Sequence, residues 1–197
     1  MKVGGKGWTA FIIVLVIIVA VGLGILGWFI SGYNRAVRLD EAAKTAWSNV
    51  DTVLQRRFDL IPNLVETVKG YATHEKELFE NIAQARTKYF QADTRGQKIE
   101  ASNELGGFLS RLLMLQERYP ELKANQNFLA LQDSLEGTEN RIAVARKRYN
   151  DAAKKVNSYR REFFGRMFCN WAGVDEFEYF EATESARTEV PKVKFDK

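Results

Sequence analysis

The stretch FLALQDSLEGTENRIAVARKRYNDAAKKVNSYRREF, residues 128–163, decides the fold. In it Phe128, Leu131, Leu135, Thr138, Ile142, Ala145, Tyr149, Ala152, Val156, Tyr159 and Phe163 recur at alternating steps of three and four. That spacing gathers them on one face of a helix. Upstream, the same period appears in Ala43, Trp47, Val50, Leu54, Arg57, Ile61, Leu64, Val68 and Tyr71. Leu39, Ala46, Val53 and Leu60 widen this seam at seven-residue intervals, a width that suits a bundle helix better than a two-stranded coil. The seam keeps its phase through Pro62, which predicts one kinked helix, or two closely coupled ones, ending near Gly70.

Two further helices are expected between these. One covers roughly 75–92, with Leu78, Ile82, Ala85, Tyr89 and Ala92 on its face, and is ended by Arg95-Gly96. The other covers 97–119, with Ala101, Leu105, Phe108, Leu112, Leu115 and Tyr119, and is stopped by Pro120. No alternating β-branched run occurs in the body. The reading is all-α: an N-terminal transmembrane helix, then an antiparallel bundle of about four long helices with heptad seams. Two positions break the pattern. Gly106-Gly107 lies inside a helix at a cost of about 2 kcal/mol, which points to tight packing or a kink, or else to a hinge. Arg57 occupies a seam position, either with its head in water or as a paired buried charge that fixes register.

From Gly7 to Asn34 there is no charged residue, and residues 11–20 are wholly apolar. The roughly 23 residues 8–30 span about 34 Å as a helix, enough for a bilayer core. Trp8 and Trp28 stand near its ends, as interfacial aromatics do. The run is too long for a signal-peptide core, and Trp28-Phe29-Ile30 occupies the place a cleavage site needs, so an uncleaved single-pass anchor is expected. Ala20, Gly24, Gly27 and Ser31 share one face of it; small faces permit close helix approach in lipid, and they form the candidate self-association surface. Three segments follow: 1–32 with the anchor, 33–163 the bundle, and 164–197 an aromatic and then acidic tail. Lys2 and Lys6 face Arg35, Arg38 and Lys44 across the anchor, a small bias; the bundle is expected outside the cytoplasm.

The chain carries a formal net charge of +4, but Lys2 and Lys6 belong to the anchor, and the rest is nearly balanced. Nucleic acid is therefore not an expected partner, since that requires a concentrated basic face. The charge is segregated along the chain. Nine basic residues lie between Arg141 and Arg166 against Asp151 and Glu162 alone. Aromatic residues come next, then Asp175, Glu176, Glu178, Glu181, Glu184 and Glu189 against Arg187. Arg160, Arg161, Arg166, Phe164, Phe168 and Trp171 are the expected contacts for anionic lipid, or for the acidic tail of the same or a neighbouring chain.

The residues Tyr33-Asn34-Arg35, Leu39-Asp40-Glu41 and Ala46-Trp47-Ser48-Asn49-Val50 lead into Gln55-Arg56-Arg57-Phe58-Asp59-Leu60-Ile61-Pro62-Asn63-Leu64-Val65. This pattern resembles the LemA family of bacterial membrane proteins. Weaker resemblance continues through Glu117-Arg118-Tyr119-Pro120, Glu136-Gly137-Thr138-Glu139-Asn140-Arg141 and Arg148-Tyr149-Asn150, covering residues 33–163. Beyond that, Phe163-Phe164-Gly165 stands where the family usually shows a proline-led apolar stretch. The resemblance implies a single-pass protein of the bacterial cytoplasmic membrane with a helical bundle, and brings no established activity.

No catalytic constellation is legible. His74 is the only histidine and falls where a helix is expected to start; Cys169 is the only cysteine and has no second histidine to activate it. No catalytic residue, cofactor or metal site is expected. On the signature helix Arg56, Asp59, Asn63 and Glu66 form a polar stripe, read as a solvated face or as a contact for a subunit or partner. The expected function is a membrane-anchored, non-catalytic scaffold that forms a homo-oligomer or docks a partner protein. The alternative is a protein that binds or shapes the lipid surface through its basic, aromatic C-terminal region.

Overall fold

The computed structural model describes residues 5–181, with side chains from residue 8 onward. Lys2, Glu184, Arg187 and Glu189, and the side chain of Lys6, lie outside the described residues. Among the described residues there are six helices and no strand: α1 Gly5–Lys69, α2 Lys76–Gln91, α3 Arg95–Arg118, α4 Pro120–Ala124, α5 Gln126–Arg161 and α6 Phe163–Ala172. The chain divides into two compact units. One comprises Met1–Lys44 and Lys154–Phe177, the other Thr45–Ala153 and Glu178–Lys197.

The second unit is the bundle. Its α1 portion buries Val50, Leu54, Phe58, Ile61, Leu64 and Val68, the seam read from the sequence, and α1 continues through Pro62 as one helix. Contacts fix the directions of the helices. Phe58 stacks on Tyr89 at 4.1 Å and Lys69 lies over Phe79, so α2 runs back along α1. The pair Lys88–Glu104 turns α3 against α2. Asn125 bonds Tyr71 at one end and Trp47 meets Tyr149 at the other, so α5 is antiparallel to α1.

Helix starts follow from side chains that satisfy free N–H groups. Thr94 and Gln97 form a reciprocal capping box, and Arg95-Gly96 therefore opens α3 instead of ending α2. Asn125 accepts from the Phe128 N–H and starts α5. Some seam positions also shift. Phe79 is buried where Leu78 was expected, and Leu109 where Phe108 was. A Cβ at Gly106 or Gly107 would meet nothing within 4 Å, and α3 runs through both; close packing there is excluded.

Candidate functional site

Three surfaces carry the residues singled out above. The first is the apolar part of α1. Its large side chains from Trp8 to Leu26 are exposed within the chain, most beyond half of their area. This is the one helix among the described residues long and apolar enough to cross a membrane. Ala20, Gly24, Gly27 and Ser31 lie exposed on it, and a Cβ built on Gly24 or Gly27 meets nothing.

In the same unit, α6 packs against the end of that apolar run. Phe164 and Phe168 meet Trp28 edge-on at 4.9 and 5.3 Å, and Trp171 meets Phe29 at 4.7 Å. Gly32 sits beneath the Phe168 ring, where any Cβ would overlap the aromatic carbons. Tyr159 donates to the Gly32 carbonyl, and Arg35 lies over the Tyr159 ring. Phe168 is therefore a buried anchor, and is not open to lipid or to the acidic tail as expected. Its neighbours are open: Phe163 is 87% exposed, Trp171 57% and Phe164 52%. Phe163 was assigned to the α5 seam, but α5 ends at Arg161 and Phe163 begins a new helix pointing outward. Arg161 and Arg166 are exposed; Arg160 donates to the Val174 carbonyl, meeting the start of the tail through its main chain. Cys169 is fully buried, and burial pushes its thiol pKa up, the opposite of what a nucleophile needs.

The second surface is the stripe Arg56, Asp59, Asn63 and Glu66. All four are exposed on α1, and Glu66 pairs locally with Lys69 at 2.9 Å. The neighbouring Arg57 behaves differently. It is 1% exposed, and it donates to Glu139 at 2.6 Å and to the Ser102 hydroxyl and carbonyl at 2.7 and 2.9 Å. Of its two sequence readings the buried, paired charge is the correct one. Arg146 donates to the same Ser102 hydroxyl at 3.0 Å, so two guanidiniums meet at one serine. Burial, followed by the Arg57 charge, pushes the Arg146 pKa down.

The third surface holds the tail against its own chain, through residues that the sequence reading did not single out as a site. Beyond α6, Gly173 takes the left-handed conformation at φ 64°, and the chain turns into an extended segment. In the first unit Asn157 grips Phe177 with both amide groups, donating to its carbonyl at 2.8 Å and accepting its N–H at 3.0 Å. In the second unit Asn150 does the same to Phe180, at 2.9 and 3.0 Å. Tyr149 adds a bond to the Glu178 carbonyl at 2.7 Å; burial raises the Tyr149 pKa to about 12, Arg95 opposing and Glu178 reinforcing the rise. The Phe180 ring stacks on Trp47 at 5.9 Å with Arg146 over it at 4.8 Å. The seven-residue interval between Asn150 and Asn157 was visible in the sequence, as was the three-residue interval between Phe177 and Phe180. Their pairing across 20 and 30 residues was not.

His74 is exposed at the turn before α2, beside a shallow depression of about 530 Å³ that is also lined by Glu75, Glu77, Arg111 and Arg118. Arg118 and Glu75 pair there at 3.1 Å. No three metal-binding side chains cluster among the described residues.

Comparison with known proteins adds to this geometry. The model of the LemA family matches residues 46–195. The match reaches well past residue 163, where the resemblance had been read to end, so the C-terminal region is family-like too. Magnetosome protein MamQ 2 of Paramagnetospirillum magneticum is 26% identical over 184 residues, covering 80% of this chain and 68% of the relative. Magnetosome protein MamQ of Magnetospirillum gryphiswaldense is 25% identical over the same shares. Protein LemA of Metamycoplasma hominis is 23% identical over 185 residues, covering 93% of this chain and 84% of its own.

Proposed function

The chain belongs to the LemA family, and from that premise we propose that it is a membrane-anchored helical scaffold that self-assembles through its transmembrane helix and holds its bundle at the membrane surface. Family membership and the exposed apolar helix make it a membrane-associated helical protein; assembly and docking are the proposal. The observation that carries it is the bare Ala20, Gly24, Gly27 and Ser31 face. Helices pack in lipid by shape, since lipid tails are as apolar as leucine, and a face of small residues lets two backbones approach. The stripe Arg56, Asp59, Asn63 and Glu66 then serves as the contact for a neighbouring bundle or a partner protein. We assign the protein to the bacterial cytoplasmic membrane with the bundle outside the cytoplasm, and we assign it no catalytic role.

The test is the native mass of the full chain in mild detergent, beside the double substitution Gly24→Leu and Gly27→Leu. A discrete oligomer that the substitutions reduce supports the proposal. A monomeric wild type that captures no partner protein ends it.

The lipid-surface reading is supported by α6. Its exposed Phe163, Phe164 and Trp171 stand beside Trp28 and Phe29, at the end of the apolar run, where interfacial aromatics belong. Arg161 and Arg166 are free to meet anionic headgroups. Arg161→Ala with Arg166→Ala should lower the anionic phospholipid retained by the purified chain. Unchanged lipid content would remove this reading.

A further inference from the structure

Helix α6 lies across α1 and not along it. Phe164 and Trp171 are seven residues apart, about 10 Å along a helix, yet they meet the adjacent residues Trp28 and Phe29. Phe168, between them, meets both of these and covers Gly32. Two helices in line would spread such contacts over two turns of α1. The apolar run of α1 is long and apolar enough to cross a bilayer, so a helix transverse to its end lies parallel to the bilayer surface.

The ten residues of α6 divide into three flanks. Gly165, Phe168 and Cys169 are buried against the chain; a Cβ on Gly165 would run into the Tyr159 carbonyl, so glycine lets α6 seat closely there. Phe163, Met167 and Trp171 follow at steps of four with Phe164 beside them, an apolar flank whose three rings are each more than half exposed. Arg166 and Asn170, also four apart, form an exposed polar flank, and Arg166 is the one charged residue of the helix. The order of the flanks gives them a direction. Phe164 and Trp171 adjoin Trp28 and Phe29 at the end of the apolar run, whereas Cys169, on the opposite edge, feels the charges of Arg160 and Asp40.

A helix with an apolar flank, a cationic polar flank and a position beside a membrane span is suited to the membrane interface. We propose that α6 is embedded flat in one leaflet, at the boundary of headgroups and acyl chains, with Phe163, Met167 and Trp171 among the chains and Arg166 and Asn170 among the headgroups. The membrane surface on the side of the bundle then stands at the level of Gly32. The placement rests on the lipid-surface reading and deepens it, because attraction of Arg161 and Arg166 to headgroups needs no aromatic flank among the chains.

The experiment uses the full chain in vesicles of phosphatidylcholine and phosphatidylglycerol. A nitroxide label is attached to a cysteine placed singly at Phe163, Arg166, Met167 or Asn170; Cys169 is fully buried, and the parent chain serves as the unlabelled control. None of the four positions is buried, so the packing of α6 is preserved. Collisions with oxygen, which concentrates among acyl chains, are compared with collisions with a water-soluble nickel chelate. The ratio of oxygen to nickel collisions is expected to be several times higher at 163 and 167 than at 166 and 170. Nickel-dominated collisions at all four positions would put α6 above the leaflet, and oxygen-dominated collisions at all four would put it in the hydrocarbon core. Shielding of 163 and 167 from both reagents would mean that protein covers the flank. Each of these three results overturns the proposal. If α6 proves to lie above the leaflet while Arg161→Ala with Arg166→Ala still lowers the retained anionic phospholipid, only the embedding has failed. If the lipid content is unchanged as well, the lipid-surface reading has failed with it.

Discussion

The two halves of α1 obey opposite rules although they form one helix. Over residues 8–30 apolar side chains point in every direction and stay exposed, whereas over residues 36–68 they are gathered into a stripe and buried. A helix that is apolar all round is built for lipid, and one with a stripe is built to pack against protein. The comparison teaches where each kind of substitution will be felt. Changes on the striped half act on the folding of the bundle; changes on the uniform half act on what the chain meets in the membrane.

The largest effect is expected at the charge within the stripe. Glu139 is half exposed, but it is the carboxylate that balances the buried Arg57, with Arg146 sharing the same serine. Glu139→Ala leaves two guanidiniums facing each other and should cost about 3 kcal/mol in denaturant unfolding. Arg57→Met leaves a carboxylate that water can reach, and should cost no more than about 2 kcal/mol. Reversal of that order would break the view of Arg57 as a register-fixing charge held by Glu139.

Next come the aromatic residues. Phe180→Ala empties a filled box and should cost about 2–3 kcal/mol, partly as local release of the tail. Phe163→Ala removes a ring that is 87% exposed and should lie within about 0.5 kcal/mol of wild type. Equal costs would show that the division between buried and surface aromatics is drawn in the wrong place.

The pH dependence sharpens the same point. Burial holds the Tyr149 hydroxyl protonated up to about 12, above the ordinary value near 10. The stability tied to that raised value is complete below about pH 10 and lost as pH rises towards 12. Tyr89, also raised by burial and by its bond to Asp51, adds to the loss. The wild type should therefore lose more stability over that interval than Tyr149→Phe does, measured by denaturant midpoints. Parallel losses would place the titration elsewhere.

The smallest effect lies in α3. Gly106→Ala and Gly107→Ala meet open space and should each stabilise by up to about 1 kcal/mol. A destabilising result would show that this stretch serves as a hinge.

Much of the fold was legible because helix periodicity is local. The α1 and α5 seams, with Val50, Leu54, Ile142 and Val156 at their centres, need only the 3–4 spacing. Arg57 was ambiguous because its partner Glu139 is 82 residues away. The start of α3 was misplaced because Arg95-Gly96 reads as a stop until the Thr94 and Gln97 side chains are seen to cap each other. The seat of the tail was missed for a similar reason. Asn150 and Asn157 look like solvated helix residues, and only the return of an extended chain turns them into clamps.

The most direct test of assembly through the membrane face is disulfide scanning in native membranes. Cys169 is fully buried and does not interfere. Single cysteines are placed at Ala20, Gly24, Gly27 and Ser31, and at Val21, Ile25 and Leu26 as the other faces. The account predicts disulfide-linked dimers at the first four positions and little at the other three. Equal cross-linking at all seven, or none at any, would contradict it.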